Sequence, residues 1–323
     1  MALDPQAANV IDLVVKSGRP PYHLLTPKEA RRMFLETRPA STPPAPQIGA
    51  VRDLTADGPL GAIPLRVYRP AGVPDATRLP VHVYFHGGGW VIGDIETHDV
   101  LCRQLTAEAG VAVVSVDYRL APEHKFPASV DDAWAATRWV ASHADELGVD
   151  ARRLSVGGDS AGGNLAAVVA LLARDSGAPA IALQVLVYPV TDLGAETKSY
   201  ADLADGYMLT RDSMRWFRAQ YLGKEEDALD WRVSPFRATS LAGLPPALVI
   251  TAGFDPLRDE GEAYARRLRE AGVSVDAVCF GGMIHGFVPM GRLIDTAFRA
   301  VTLIAGSLRQ AAAAKELAGR GYS

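Results

Sequence analysis

Cysteine is nearly absent from this sequence, which has only Cys102 and Cys279 among its 323 residues. The two lie far apart and show neither a C-x-x-C pattern nor the spacing of metal ligands. We therefore interpret them as two buried free thiols, which fits a protein of the reducing cytoplasm. The N-terminus also lacks a positively charged region followed by an apolar one, so no secretory signal is predicted.

Excess charge and long apolar runs are missing too. The net charge is -4 and the isoelectric point is about 6.0, so there is no basic excess to favour nucleic acid as a partner. The longest apolar runs, such as residues 165–173, are too short to span a bilayer. These absences predict a globular protein with a small-molecule partner, without nucleic acid and without a membrane span.

Strands and helices alternate along most of the chain. This alternation predicts a mostly parallel central sheet with helices on both faces, which is an α/β fold. The predicted strands are 63–68, 81–85, 111–116, 154–156, 181–188, 247–251 and 275–280, and the predicted helices are 99–108, 130–143, 260–271 and a long one from about 295.

Two segments do not fit that alternation. Residues 1–45 contain helices and end in a proline-rich stretch, which marks a change of organisation. Residues 192–224 contain no predicted strand and are rich in large side chains: Tyr200, Tyr207, Met208, Trp216, Phe217 and Tyr221. We interpret 46–323 as the main α/β domain, and 1–45 together with the insertion 192–224 as a helical cap over the carboxyl edge of its sheet.

A glycine-rich turn joins the predicted strand 154–156 to an apolar helix. It contains Gly158-Asp159-Ser160-Ala161-Gly162, the G-x-S-x-G pattern of a nucleophile elbow. A serine on such a tight turn needs neighbours without a Cβ atom. Its hydroxyl then projects above the sheet, close to the N–H groups that open the helix.

An elbow serine needs a base and an acid to activate it. In an α/β-hydrolase these follow the serine in the order acid, then histidine, and only His285 of the seven histidines lies after Ser160. Asp255 and Asp192 both follow predicted strands. Asp255 is preferred because its strand directly precedes the strand that leads to His285, and Asp192 is the alternative. Asp259 is predicted to be the N-cap of the next helix.

The sequence Phe85-His86-Gly87-Gly88-Gly89-Trp90 follows another predicted strand. Consecutive glycines let backbone N–H groups approach a developing oxyanion closely. A phosphate-binding loop is the alternative interpretation of such a turn. It does not fit, because neither G-x-x-x-x-G-K-[ST] nor a G-x-G-x-x-G that opens a helix occurs.

Five motifs together resemble the hormone-sensitive-lipase-like branch of the α/β-hydrolases, the bacterial esterase family with an HGGG motif. The resemblance covers most of the chain, except the N-terminal stretch and the insertion. The motifs are HGGGW at 86–90, DYRLAPE at 117–123, GDSAGGN at 158–164, DPLRDEG at 255–261 and HGF at 285–287.

The resemblance implies a role for each matching residue. Ser160 would be the nucleophile, His285 the general base and then acid, and Asp255 the orienting carboxylate. The oxyanion donors would be the N–H groups of Gly88, Gly89 and Ala161, with His86 holding the turn. No cofactor or metal is implied, and relatives often form homodimers through the edge strand that corresponds to 275–280. The candidates for lining the substrate pocket are Trp90, Tyr188, Tyr207, Met208 and Trp216.

The sequence therefore predicts a cytoplasmic serine carboxylesterase for short acyl esters. An amide, a formamide or a lactone is an alternative substrate, since the same triad serves all of these acyl bonds. A non-catalytic small-molecule receptor is a third hypothesis, because the plant gibberellin receptors resemble this family. Those receptors lack the catalytic histidine, whereas all three triad positions are filled here.

Overall fold

The structure is a computed structural model and describes residues 2–74 and 76–320. The strands are β1 (Ala50–Gly58), β2 (Gly61–Arg69), β3 (Leu79–Phe85), β4 (Ala112–Val116), β5 (Val149–Asp159), β6 (Ile181–Val187), β7 (Ala247–Phe254) and β8 (Val275–Ile284). The α-helices are α1 (Pro5–Lys16), α2 (Pro27–Thr37), α3 (Ile95–Ala109), α4 (Ala128–Ser142), α5 (Ala144–Leu147), α6 (Ala161–Ser176), α7 (Lys198–Asp202), α8 (Arg211–Tyr221), α9 (Arg258–Glu270) and α10 (Thr296–Arg320). Short 3₁₀ turns lie at Tyr22–Leu24, Arg38–Ala40, Glu225–Leu229 and Pro235–Arg237.

All eight strands form one sheet in the order β1-β2-β4-β3-β5-β6-β7-β8. The hairpin β1–β2 is antiparallel and pairs antiparallel with β4, while β4, β3, β5, β6, β7 and β8 are parallel. The carboxyl ends of the parallel strands therefore meet at one edge of the sheet. Residues that directly follow β3, β5, β7 and β8 are brought together there, which is where ligands bind in sheets of this kind.

Helices cover both faces of the sheet, as predicted. Helices α3 and α10 pack on one face, and α4, α6 and α9 pack on the other. The apolar residues of β3 to β7 are almost completely buried between the two layers, as expected for parallel strands covered on both sides. The prediction of an α/β-hydrolase fold with a mostly parallel sheet is confirmed.

Several details differ from the sequence predictions, among them the additional first strand β1, the start of α3 and the exposure of one cysteine. Helix α3 begins at Ile95 rather than near residue 99, because Asp94 and Thr97 form a reciprocal capping box with N···O distances of 2.7 and 2.9 Å. Both cysteines are free, but only Cys102 is buried. Cys279 lies on β8, an edge strand of the sheet, and is exposed.

Side chains of two segments, one with α1 and α2 and one with α7 and α8, line a cavity with Ser160 and His285: Phe34 of α2, and Met214 and Phe217 of α8. The rings of Tyr22 and Phe217 join the two segments, with 5.7 Å between their centroids. Arg31 of α2 donates to the carbonyl oxygens of Val91 and Ala121 and forms an ion pair with Glu123, which anchors α2 to the loops after β3 and β4. Among the described residues, no helix is both long enough and apolar enough to cross a membrane.

Candidate active site

Ser160 lies on the sharp turn between β5 and α6. Its φ and ψ are 55° and -116°, a backbone conformation that costs a residue with a Cβ atom about 1–3 kcal/mol. The turn passes very close to β3: a Cβ atom on Gly162 would collide with the carbonyl oxygen of Phe85. Glycine is therefore required there, and the serine is held in a strained conformation at the end of the strand.

His285 and Asp255 complete a hydrogen-bonded array with Ser160. The imidazole Nε2 is 3.0 Å from the Ser160 hydroxyl oxygen, and Nδ1 is 2.7 Å from a carboxylate oxygen of Asp255. Since a carboxylate can only accept, Nδ1 carries the proton and Nε2 is free to accept the serine proton. Asp255 is completely buried, and its other oxygen accepts the N–H of Leu257 at 2.9 Å.

The glycine turn after β3 lies beside this array. Gly88 and Gly89 have φ values of 122° and 58°, which side chains with a Cβ atom rarely adopt. Within the described part of the chain, the N–H groups of Gly88 and Gly89 donate no hydrogen bond, and Ala161 is the first residue of α6, whose N–H has no partner within the helix. Gly87, Gly88, Gly89 and Ser160 line one cavity, so the glycine turn and the serine border the same space, and Ala161 directly follows Ser160.

Asp159 holds that turn in place, a role that the sequence analysis missed. One carboxylate oxygen accepts the N–H of Gly87 at 2.9 Å and the hydroxyl of Tyr84 at 2.7 Å. The same oxygen is 3.3 Å from Nε2 of His98. Burial alone would raise the pKa of Asp159, but the charge and hydrogen bond of His98 and the hydrogen bond of Tyr84 hold it well below its usual range. The carboxylate therefore stays ionised beside Ser160.

His86, which opens the same turn, is placed as a structural residue. Its ring stacks on Tyr118 with 4.3 Å between centroids, and Nδ1 donates to the carbonyl oxygen of Gly87 at 2.8 Å. Tyr118 in turn donates to the carbonyl oxygen of His86 at 2.7 Å. Burial, and to a smaller extent the neighbouring His98, lower the pKa of His86 to about 4, so the ring is neutral at pH 7.

Two cavities open above these groups. The inner cavity has a volume of about 120 Å³ and is lined by Ser160, His285, the glycine turn and apolar side chains that include Met214 and Phe217. The outer cavity, about 520 Å³, lies between α1, α2 and the segment 206–213. The two cavities share five lining residues: Tyr22, Phe34, Arg38, Met208 and Met290.

The structure corrects three of the five pocket candidates. Trp90 is completely buried and stacks on Tyr221 at 4.2 Å, so it is a packing residue. Tyr188 is also buried, and its ring lies 4.7 Å from that of His285, which it supports from behind. Trp216 packs against the edge of Phe217 and lines neither cavity.

The other two pocket candidates do line a cavity. Tyr207 lines the outer one, and Met208 lines both. Among the lining residues that the sequence analysis did not choose are Tyr22, Phe34, Arg38 and Phe217. No sequence pattern distinguishes these four, since they come from separate segments that meet only in the folded chain.

The other two aspartates that were considered lie elsewhere. Asp192 forms a bidentate ion pair with Arg237, with N···O distances of 2.7 and 3.0 Å, and does not contact His285. Asp259 is not the N-cap of α9, which is Leu257. Its carboxylate instead accepts the N–H of Ser199 at 2.8 Å and pairs with Arg258, so it ties α7 to α9.

Comparisons with known proteins agree with this geometry. A family described as having the alpha/beta hydrolase fold matches residues 82–289. The carboxylic ester hydrolase LipN of Mycobacterium tuberculosis is 51% identical over 257 residues, which are 77% of this chain and 68% of that protein. An ethyl acetate hydrolase of Pseudomonas putida is 40% identical over 319 residues, which are 96% of this chain and 99% of the relative.

Solved structures give the same result. An esterase from the archaeon Pyrobaculum calidifontis superimposes with a TM-score of 0.90 and 46% identity, covering 96% of this chain and 99% of that chain. The match therefore extends beyond the five motifs to the N-terminal segment and the insertion. This chain belongs to the α/β-hydrolase family, in the esterase branch that its HGGG and GDSAGG motifs resemble.

Proposed function

We propose that this protein is a serine carboxylesterase that hydrolyses short-chain acyl esters. The observation that carries the proposal is the array in which His285 bonds Asp255 through Nδ1 and Ser160 through Nε2, at 2.7 and 3.0 Å. At these distances His285 can take the serine proton at Nε2 while the buried carboxylate of Asp255 holds Nδ1.

In the proposed reaction, the Ser160 oxygen attacks the ester carbonyl while Nε2 of His285 takes its proton. The tetrahedral intermediate collapses as His285 gives that proton to the leaving alcohol, and an acyl-serine remains. Water, deprotonated by Nε2, then attacks the acyl-serine. The second collapse releases the acid and returns the proton to Ser160.

We assign the oxyanion to the N–H groups of Gly88, Gly89 and Ala161. Donors of this kind stabilise the charge that develops in the transition state, and the loss of one typically costs about 10²- to 10³-fold in kcat. The absence of another partner for the two glycine N–H groups, within the described residues, supports the assignment. The first helical N–H of α6 adds the positive end of a helix dipole.

We also propose that residues 1–45 and 192–224 act as a cap on the catalytic domain 46–323. The contact between Tyr22 and Phe217 supports this division, because it joins the two segments above the inner cavity. The volume of that cavity, about 120 Å³, supports short acyl chains. A relative that is named an ethyl acetate hydrolase agrees with small substrates.

The decisive test is hydrolysis of p-nitrophenyl butyrate. Ser160→Ala should lower kcat by at least about 10⁴-fold, while Ser142→Ala, at an exposed serine, should leave it unchanged. A fluorophosphonate should label the wild type and not Ser160→Ala. Equal rates in wild type and Ser160→Ala would contradict the assignment, and a series from acetate to dodecanoate with its peak on long chains would contradict the short-chain preference.

Two further parts of the proposal concern the compartment in which the enzyme works and its oligomeric state. The free and exposed thiol of Cys279 supports a reducing compartment, the cytoplasm. Strand β8 is one of the two edge strands of the sheet and its residues 276 and 277 are exposed, which leaves an edge that a second copy could extend. Sedimentation velocity tests the homodimer: Val278→Pro, which removes a backbone donor, should give monomers if β8 forms the interface.

A further inference from the structure

Arg38 is a buried guanidinium without a carboxylate partner. Its residue is 9% exposed, and it lines both the inner and the outer cavity. The only hydrogen bond of its side chain within the described residues runs from Nε to the carbonyl oxygen of Thr97, at 3.1 Å. No described carboxylate lies within ion-pair distance of it. The guanidinium carbon lies 5.3 Å from the centroid of the Phe34 ring, a cation–π contact that gives the terminal N–H groups no acceptor among the described residues. Burying a charged group is costly unless its hydrogen-bonding groups are paired, so a ligand acceptor for these N–H groups would be favourable.

The charged side chains that line the outer cavity are all positive. Its lining includes two arginines, Arg38 and the half-buried Arg19, and no aspartate or glutamate. The side chain of Arg19 likewise has no described carboxylate partner and donates from Nε to the hydroxyl of Ser17 at 2.9 Å. Tyr22 lies near both guanidinium groups. Burial raises the pKa of Tyr22 to about 12, so its hydroxyl stays protonated and can donate.

The rest of the lining is mostly apolar, and its polar members besides tyrosine are Thr37, Ser41, Thr210 and Ser213. The apolar side chains that line the outer cavity include Val10, Val14, Met33, Phe34, Met208 and Leu293. A plain alkyl chain that filled the outer cavity would cover Arg38 without giving its N–H groups an acceptor. A chain that ends in an anion satisfies both the apolar walls and the guanidinium.

We propose that the outer cavity binds the carboxylate end of an elongated ester, with Arg38 as its main partner and Arg19 as a second one. The scissile ester then lies at Ser160 in the inner cavity, and an apolar linker passes Phe34 and Met208. The inference rests on the proposed esterase function and adds a substrate class to it: esters that carry a carboxylate remote from the scissile bond. The reaction is the hydrolysis described above, and the remote carboxylate takes no part in it.

Another role for Arg38 has to be separated from this one. Its charge helps to keep the carboxylate of nearby Asp159 ionised, so a substitution could act through the glycine turn instead of through the substrate. A role through Asp159 would change the hydrolysis of all esters alike. A role in binding would change only that of esters with a carboxylate.

The experiment compares matched esters in two series. In the first, the carboxylate is on the acyl side: monoethyl esters of dicarboxylic acids from adipate to sebacate, against ethyl esters of monocarboxylic acids of equal length. In the second, it is on the alcohol side: acetyl esters of ω-hydroxy acids, against acetates of primary alcohols. Hydrolysis is followed by pH-stat titration, and kcat/KM is measured for the wild type, Arg38→Met, Arg38→Lys, Arg19→Gln and Arg32→Met.

In at least one series and at one chain length, the carboxylate ester should have the higher kcat/KM by about 10-fold or more, as expected for a charge-assisted hydrogen bond to a desolvated guanidinium. Arg38→Met should remove this preference, so its kcat/KM should fall about 10-fold more on the carboxylate ester than on the neutral ester of equal length. Arg38→Lys should keep part of the preference, and Arg19→Gln should weaken it. Arg32 is an exposed arginine of α2 that lines neither cavity, so Arg32→Met should have no effect.

Three results would overturn the inference: neutral esters preferred at every length in both series, a preference that survives Arg38→Met, or an equal loss on both kinds of ester. If Arg38→Met does not fold, competitive inhibition of the wild type decides. Hexanoate should then inhibit neutral-ester hydrolysis at least about 10-fold more strongly than hexanol, and equal inhibition would overturn the inference. Inactivity on every ester, with Ser160 unlabelled by a fluorophosphonate, would instead refute the proposed function itself.

Discussion

The floor of the inner cavity is built by the sheet, and its walls are built by helices from other parts of the chain. The floor consists of Ser160, His285 and the glycine turn, and hydrogen bonds of 2.7–3.0 Å fix its parts. The walls consist of side chains such as Phe34 and Phe217, which pack against their neighbours without hydrogen bonds. The floor therefore has one arrangement, whereas the walls can be exchanged at a small cost. Floor substitutions should change the rate of every ester, and wall substitutions should change which ester is preferred.

The largest expected effect is at the floor, in Asp255→Asn. The amide keeps one acceptor oxygen, which the N–H of Leu257 occupies, so its NH₂ group faces Nδ1 of His285. This favours the tautomer in which Nε2 carries the proton and cannot take the serine proton, so kcat should fall by about 10⁴-fold with the fold intact. The measurement is kcat on p-nitrophenyl butyrate, with circular dichroism to check folding. Asp192→Asn is the matched control, because Asp192 pairs with Arg237 and not with His285. A comparable loss of kcat in that control would contradict the assignment of the acid.

The next effect is expected where the floor meets the segment that leads to α7 and α8. Glu260 is buried on α9, and its Oε1 accepts the N–H groups of Thr191 and Asp192 at 2.6 and 3.3 Å. Burial is the main cause that raises the pKa of Glu260 from 4.5 to about 8. Between pH 4.5 and about pH 8, Glu260 is deprotonated in the unfolded chain and protonated in the folded chain. The free energy of unfolding should therefore fall as pH rises through this window, by about 1.4 kcal/mol for each pH unit.

Glu260→Gln tests this, since glutamine imitates the protonated acid. Urea unfolding of wild type and variant at pH 5 and pH 8 should show the variant gaining relative stability at the higher pH. Taking the difference between the two proteins removes the contributions of all other titrating groups. A difference that does not depend on pH would mean that Glu260 is ionised in its buried position.

A smaller loss is expected from Asp159→Ala, which leaves the triad untouched and frees the glycine turn. Without its acceptor the Gly87 N–H no longer fixes the donors next to it, so kcat should fall by about 10²-fold with little change in KM. Asp159→Asn keeps an acceptor oxygen for Gly87 and Tyr84 and should restore most of kcat. If Asn is no better than Ala, or if only KM changes, then Asp159 does not act by positioning the turn.

Most of the floor could be predicted from the sequence because its geometry is fixed by backbone rules. Ser160, Asp255 and His285 each follow a parallel strand, and parallel strands end at one edge. The role of Asp159 could not be predicted, although it lies inside the motif, because its partners Tyr84 and His98 come from β3 and α3. The start of α3 was missed for a local reason, since its capping box uses threonine in place of glutamate.

The walls could not be predicted because large side chains carry no local sign of the direction in which they point. Trp90 is adjacent to the glycine turn and yet is buried against Tyr221. Phe217 is remote in sequence and yet covers Gly89, where an added Cβ atom would collide with its ring. Trp216 and Phe217 are neighbours in the chain, and only the second reaches the inner cavity. Which of two adjacent aromatics lines a pocket depends on the packing of α8 against the Tyr22 turn.

That pair of neighbours provides the last and smallest expected effect. Phe217→Ala should enlarge the inner cavity over the glycine turn, so the ratio of kcat/KM for p-nitrophenyl octanoate to that for the butyrate should rise by about 10-fold, the range in which a few methylene groups are discriminated. Trp216→Ala removes a still larger aromatic ring from the same helix and should leave the ratio within about 2-fold of wild type, because Trp216 lines neither cavity. If both variants shift the ratio alike, then α8 as a whole sets the pocket, and the walls are as tightly coupled as the floor.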